Sequence, residues 1–376
     1  MGSINSPYLN KVILAGGGTG GHLFPAIAIA EGIKKKYPDS EVYFMGTRRG
    51  LEAKILPERG YKLFYLSVRG LKRGLNLSIF KALFFLMKSL VEAMKILKQL
   101  KPEIVIGTGG YVSFPAVLAA SLMRIPTFIQ EQNSFPGIST RILSLFAKKV
   151  FIAYEESKKH FWVKKKLKVT GNPVRAKIFR ADKISAMKKF NLEPDKKTVL
   201  ILGGSQGASS INNAVLEDLN SAAQELGFQI LWQTGEKDYQ RIKENLKDKK
   251  NSAQIFSFIE DMSSAYAACD LVVSRAGAIT LSEITGCGKP SILVPYPYAT
   301  AEHQKYNGQV LEKNGAAILI EEKKLGQVKL FSQAGELLKD EQKLKQMSDN
   351  SKKLGKPEAL NEILNEIENY LKSEAA

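Results

Sequence analysis

Three kinds of residue in this 376-residue chain stand where they could do chemistry: glycines in strand-to-helix turns, a histidine directly after one such turn, and charged side chains that follow short apolar runs. Gly16, Gly18 and Gly21 satisfy G-x-G-x-x-G after the apolar run from Lys11 to Ala15. Glycines there let the backbone approach an anion, and the helix that follows supplies unpaired N–H groups and partial positive charge. A second turn, Gly203-Gly204-Ser205-Gln206-Gly207-Ala208, follows Thr198 to Leu202 and aligns with Gly17-Gly18-Thr19-Gly20-Gly21-His22. Two tight turns that only pack helix on sheet are the plainer alternative. A dinucleotide fold carries an acid at the end of its second strand, but here that strand ends Met45-Gly46-Thr47. No G-x-x-x-x-G-K-S/T occurs either, so neither a nicotinamide enzyme nor a P-loop ATPase is favoured.

His22 is one of three histidines, and the turn sets it in a loop at the carboxyl edge of a sheet, where open α/β folds bind ligands. It is the general-base candidate, with a structural role as the alternative. His160 lies among lysines and reads as surface, while His303 reads as a loop residue beside Gln304. Arg175 and a helix beginning near Ser205 are expected to meet phosphate charge. Three further stretches read as ligand loops, because they carry small or polar residues where a core would want apolar ones: Gly107 to Tyr111, Gln130 to Asn133, and Ser274 to Ala278. The last leads to Glu283, a carboxylate able to accept both hydroxyls of a ribose unless it is an ordinary exposed helical residue. Metal chemistry is not indicated: there is no Asp-x-Asp, no H-E-x-x-H and no cluster of Cys and His, so no metal or other cofactor is expected.

These residues need a scaffold, and the length favours two domains. Strands read at Lys11–Ala15, Glu41–Met45, Ile104–Ile106 and Pro126–Ile129, with a helix following the first glycines over Ala26–Ile33. The pattern restarts at Thr198–Leu202 and continues near Gln229–Trp232, Leu271–Ser274 and Ser291–Val294. Thr170-Gly171-Asn172-Pro173-Val174 marks a boundary, giving domains over 1–172 and 173–355. Leu360, Ile363, Leu364, Ile367, Tyr370 and Leu371 form one apolar face in a last helix, 356–376, expected to pack back on the first domain. The expected class is α/β, with two Rossmann-like doubly wound parallel sheets facing a central cleft.

The net charge of +18 is uneven, with 27 basic and 10 acidic residues over 1–172 against 28 and 27 over 173–376. The first half should therefore draw anions such as nucleic acid, lipid headgroups or a phosphorylated substrate. Cys269 and Cys287 suggest neither a disulfide framework nor a zinc site, and a reducing cytoplasmic setting fits. No stretch reaches the roughly 18 to 20 apolar residues of a membrane span. Residues 69–100 nevertheless crowd Phe80, Phe84 and Phe85 among Arg69, Lys72 and Arg73, as in a basic amphipathic helix lying on an anionic surface; a buried helix would explain the apolar residues equally well.

Taken together the chain resembles the MurG family, N-acetylglucosaminyltransferases of the GT-B fold that act on undecaprenyl-pyrophosphoryl-N-acetylmuramoyl-pentapeptide. The resemblance covers nearly the whole chain. It rests on Gly17 to His22, Gly109-Gly110-Tyr111 with Pro115, Glu131-Gln132-Asn133 with Pro136-Gly137, Gly171 to Arg175, Gly203 to Ala208, Arg275 to Ala278 with Glu283, and Gln304 with Asn307. Gly308 departs from the alanine usual in the family. The resemblance implies an inverting transfer of GlcNAc from UDP-GlcNAc to the 4-hydroxyl of MurNAc in lipid I, with His22 as base. It implies a donor site of Ser205, Ile259 at the uracil, Ala278, Ile279, Thr280, Glu283 at the ribose, Arg175, Gln304 and Asn133, with Thr19, Gly20 and Gly21 near the sugar. It also implies Tyr111 toward the acceptor, residues 69–88 toward the membrane, a peripheral place on the cytoplasmic face of the inner membrane, and cell-wall synthesis proteins as further partners. A UDP-GlcNAc 2-epimerase or a glycolipid glucosyltransferase shares the architecture. A nucleic-acid-binding protein is suggested by charge alone, lacks a reading motif, and is not expected.

Overall fold

A computed structural model describes residues 9–68, 78–203, 207–221, 227–247 and 253–375, the side chains of 78–82, 220, 221 and 375 apart. The chain divides into two compact units, Met1–Pro173 with Glu358–Ala376, and Val174–Pro357.

In the first unit the strands are β1 (Lys11–Gly16), β2 (Glu41–Gly46), β3 (Lys62–Tyr65), β4 (Ile104–Gly109), β5 (Thr127–Glu131), β6 (Lys149–Ile152) and β7 (Leu167–Val169). They form one parallel sheet in the order β3-β2-β1-β4-β5-β6-β7. The direction of winding reverses between β1 and β4, so the loops leaving these two strands part and open a crevice at their carboxyl ends. Alternate residues of β1 serve opposite faces, as a period of two requires. Val12 and Leu14 join a core with α1 (Gly20–Lys36) and the C-terminal helix Ala359–Ala375, while Ile13 and Ala15 join a second core. That second core is closed by α3 (Ser78–Leu100) and α4 (Ser113–Leu122). Two short helices, α2 (Glu52–Glu58) and α5 (Ile138–Leu143), complete the unit.

α1 begins at Gly20, six residues before the apolar run that announces it, and carries Pro25 inside. Gly and Pro are the poorest helix formers, so packing of Leu23, Ala26, Ile27, Ala30 and Ile33 in the core outweighs local preference. Pro25 has no N–H to give to the carbonyl of Gly21 four residues earlier, so that oxygen is left out of the helical ladder.

The second unit holds β8 (Thr198–Leu202), β9 (Gln229–Gln233), β10 (Ala253–Phe256), β11 (Leu271–Ser274), β12 (Ser291–Leu293) and β13 (Ala317–Leu319) in the parallel order β10-β9-β8-β11-β12-β13. Winding reverses between β8 and β11. Its helices are α6 (Lys183–Lys189), α7 (Ser209–Ser221), α8 (Glu236–Leu246), α9 (Met262–Ala268), α10 (Ala278–Gly286) and α11 (His303–Lys313), followed by Leu330–Lys339 and Glu341–Leu354. The core is centred on Trp232, whose indole N–H donates to Asn212 Oδ1 at 3.0 Å. α7 starts at Ser209, four residues later than the glycine turn suggests, and Ser205 itself lies outside the described residues.

Candidate active site

In the first unit the crevice between β1 and β4 is lined by the first glycine turn and by Gly109-Gly110-Tyr111. His22 stands in the first turn of α1 and not in a loop, because the helix begins at Gly20. Its Nδ1 lies 3.3 Å from the Thr19 hydroxyl oxygen, and its ring lies over Gly109, where an added β-carbon would come within 2.6 Å of Cδ2. Gly109 (φ 99°) and Gly110 (φ 80°) both take left-handed backbone, and a β-carbon on Gly110 would meet the Gly17 carbonyl oxygen at 2.4 Å. Glycine is thus required at both positions by conformation and by space. The Thr108 hydroxyl donates to the His22 carbonyl at 2.8 Å, which ties β4 to α1 beneath the imidazole. Gly20 is half-buried and Gly21 exposed at the start of the helix, and Tyr111, in the turn after β4, is 61% exposed.

The stretch Gln130 to Asn133 is mostly not a ligand loop. Gln130 and Glu131 belong to β5, and both are buried with Gln132. Their polarity serves internal hydrogen bonds: Gln132 Nε2 donates to the Thr108 carbonyl at 2.8 Å, and Gln130 Nε2 to Asn172 Oδ1 at 2.8 Å. Asn133 gives its backbone N–H (3.0 Å) and its amide (3.1 Å) to Glu131 Oε1, so this candidate is held in place by its neighbour. Burial pushes the Glu131 carboxyl up, against the opposing hydrogen bonds from Asn133, Thr140 and Gly137.

In the second unit the reversal between β8 and β11 sets the starts of α7 and α10 on either side of the crevice. α10 opens with Ala278, Ile279 and Thr280 after Gly277 and has no acid in its first turn, so its N-terminal field is uncompensated by the helix itself. Glu283, one turn further on, is not an ordinary exposed residue. Tyr266, wholly buried, donates its hydroxyl to Glu283 Oε2 at 3.0 Å. Burial pushes this carboxyl up to about 7, against the opposing pull of the Tyr266 hydroxyl and the Arg175 charge. Arg175 precedes a short 3-10 turn, Ala176–Phe179, in the same unit.

Ile259 is buried and its N–H donates to Gln233 Oε1 at 2.8 Å, which commits that N–H inside the unit. Gln304 is the second residue of α11 and accepts the Tyr296 N–H at 2.9 Å. His303 is the first residue of that helix and not a loop residue; burial pushes its imidazole down, partly offset by its bond to the Thr300 carbonyl. Ala301 (φ 50°) and Glu302 (φ 52°) precede it in left-handed backbone, a strained pair for residues with a β-carbon. Arg275, in the third expected ligand loop, is spent internally: it donates to the Val294 carbonyl (3.2 Å) and Ser210 (2.8 Å) and pairs with Glu322.

Among the described residues no group of three Cys, His, Asp or Glu lies close enough to hold a metal ion. Nor is any described helix long and apolar enough to cross a membrane. Arg69, Lys72 and Arg73 lie outside the described residues, as does the Phe80 side chain. On α3, Phe84 is 64% exposed and meets Phe85 edge-on at 5.8 Å, while Leu83, Met87 and Val91 are exposed nearby. Motif reading missed Tyr266 and Gln233, which orient Glu283 and Ile259. The signal available was only a polar residue inside an apolar run.

Residues 12–152 match the glycosyltransferase family 28 N-terminal domain, and residues 198–363 match its C-terminal domain. A protein of Acetivibrio thermocellus is 45% identical over 367 residues, 97% of this chain and 100% of that protein. It is named UDP-N-acetylglucosamine--N-acetylmuramyl-(pentapeptide) pyrophosphoryl-undecaprenol N-acetylglucosamine transferase. The crystal structure of Acinetobacter baumannii MurG superposes with a TM-score of 0.77 at 28% identity, covering 96% of this chain and 99% of that one. A UDP-GlcNAc 2-epimerase from Neisseria meningitidis reaches 0.63 at 16% identity, covering 95% and 98%, and shares the fold alone. Identity at this level over the full length, on a pair of parallel-sheet domains of the GT-B type, means that the chain belongs to the MurG family.

Proposed function

We propose that this protein transfers GlcNAc from UDP-GlcNAc to the 4-hydroxyl of the MurNAc residue in undecaprenyl-pyrophosphoryl-MurNAc-pentapeptide, giving the β(1→4) disaccharide lipid used in peptidoglycan synthesis. The observation that carries this reading is the 45% identity with a transferase of that name along the whole of both chains. The crevices described above supply a mechanism for it.

The first unit takes the acceptor. For His22 to remove a proton through Nε2, its Nδ1 must keep a hydrogen, and Thr19 at 3.3 Å is the group to which that hydrogen is given. The acceptor oxygen then attacks the anomeric carbon, the bond from that carbon to the pyrophosphate breaks, and UDP departs with the electron pair. One displacement inverts the configuration. The second unit takes the donor, with the N-termini of α7, beyond Ser205, and α10, at Ala278, Ile279 and Thr280, facing the pyrophosphate. Arg175 adds a full charge there, Glu283 accepts the ribose hydroxyls, and the Ile259 carbonyl meets uracil. Asn133 and Gln304 contact the sugar, as do Thr19, Gly20 and Gly21. Protein groups meet the phosphate charge in this scheme, and no metal has a role in it.

Because the acceptor is a lipid, the protein works at the cytoplasmic face of the plasma membrane, with the exposed part of α3 and the basic stretch of Arg69, Lys72 and Arg73 against anionic headgroups. Tyr111 lies toward the acceptor. Incubation with labelled UDP-GlcNAc and a short-chain lipid I analogue, followed by mass analysis, tests the reading. The expected product is the analogue plus one GlcNAc; free ManNAc or UDP-ManNAc would show an epimerase instead.

A further inference from the structure

Glu52 is wholly buried, yet it is a carboxylate and not part of the apolar core, and it is not among the residues assigned above to donor or acceptor. Its carboxylate joins two loops. Oε2 accepts the N–H of Gly18 at 2.7 Å, and Oε1 accepts the N–H and the hydroxyl of Thr47, both at 2.8 Å. The Thr47 hydroxyl in turn accepts the N–H of Gly50 at 3.1 Å. Three glycines make room for this one side chain. An added β-carbon would come within 2.5 Å of the carboxyl carbon from Gly17, 2.6 Å of Cγ from Gly46, and 2.1 Å of Oε2 from Gly50. A dinucleotide fold ends its second strand with an acid directed at a ribose. Here that position is Gly46, and the acid arrives six residues later, turned onto the glycine loop.

What Glu52 grips is the point on which the first unit's site leans. Gly18 (φ 84°) is the left-handed residue that swings the chain from β1 into α1. The next residue, Thr19, carries the hydroxyl beside His22 Nδ1, and the carbonyl of Gly17 lies close against Gly110, where a β-carbon would collide with it. A buried carboxylate is costly unless its oxygens are fully engaged, and a neutral side chain of the same size would fill the space. Acceptors on both sides of the group are what the carboxylate adds. We infer that Glu52 is a positioning residue for the transfer reaction: by clamping Gly18 to Thr47 it fixes the turn that aims the Thr19–His22 pair at the acceptor hydroxyl. This rests on the transferase reading above.

Two variants test it. Glu52→Gln keeps the shape but sets an amide N–H against the N–H of Gly18 or of Thr47. Thr47→Val keeps the backbone and removes only the hydroxyl. Both are assayed for kcat and KM with a short-chain lipid I analogue, and for UDP affinity by calorimetry. Glu52→Gln is expected to lose roughly 10- to 100-fold in kcat, since a displacement of about 1 Å can have that effect. Thr47→Val is expected to lose roughly 3- to 10-fold, the worth of one hydrogen bond. UDP affinity should stay within about twofold in both, because the groups proposed to hold UDP itself all belong to the other unit; general damage to the fold would lower the two together. A kcat within about twofold of wild type in either soluble variant, or a parallel fall in UDP affinity, overturns the inference. If Glu52→Gln does not fold, Thr47→Val decides by the same criterion. Absence of a GlcNAc-linked product from the wild type would instead overturn the transferase reading.

Discussion

The imidazole of His22 occupies the space that a β-carbon at position 109 would claim, and its orientation is set by Thr19 on one side and by the backbone of β4 on the other. Replacing it with alanine leaves that backbone intact and removes only the proposed base. His22→Ala should lower turnover at least ~100-fold with UDP affinity largely unchanged, as read by steady-state kinetics and calorimetry. Glu283 makes a second prediction. Burial pushes its carboxyl up to about 7, and in the proposed donor site the ionised form is the one able to accept two ribose hydroxyls. Below that pH the group is protonated and loses acceptor capacity; above it the site is fully formed. UDP affinity should therefore rise through neutrality and level off above about pH 8, being roughly tenfold weaker at pH 6. Glu283→Gln should remove this part of the pH dependence, which calorimetric titrations at pH 6, 7 and 8 would show. At this scale the sequence was legible for position, since the glycine turn does set His22 just past the carboxyl end of β1, and misleading where polarity has an internal use. Gln130, Glu131 and Gln132 look like a ligand loop because buried amides and carboxylates need partners, and those partners appear only in the folded chain.

Elements were legible where one physical signal dominates. The strands β1, β4, β8 and β11 are short apolar runs bounded by glycine or polar residues, and their parallel pairing follows from the helices between them. The start of α1 was hidden because Gly20, Gly21 and Pro25 argue against helix, and only burial of the next turns outweighs them. The C-terminal helix shows the reverse case, with Leu360, Ile363, Leu364 and Ile367 on one face at helical spacing. Gly32 of α1 lets it approach closely, since a β-carbon there would meet Leu360 and Leu364 at 3.0 Å. Ile363 is wholly buried in the core shared with α1 and β1. Ile363→Ala should lower stability by about 2 to 5 kcal/mol, seen as an earlier urea transition, while UDP binding persists under native conditions.

For the molecule as a whole, charge is the property most legible in composition and least legible in detail. The excess of 27 basic over 10 acidic residues belongs to 1–172, but composition cannot say which surface presents it. α3 supplies one face, with Leu83, Phe84, Met87 and Val91 exposed. Replacing Phe84 and Phe85 together with Ser should reduce sedimentation with anionic liposomes at least about tenfold, and added salt should weaken what remains. Unchanged binding in a folded variant would take that face out of the membrane contact. The same division of the chain has a bearing on synthesis. Ala359–Ala375 covers the apolar side of α1, yet it is made only after the whole of Val174–Pro357. The first unit is thus begun first and finished last, and while the second unit is being translated Ile29, Ile33 and their neighbours wait without their cover. A ribosome stalled late within Val174–Pro357 would display that bare surface, and so present a holdase chaperone with a target that the released protein no longer offers.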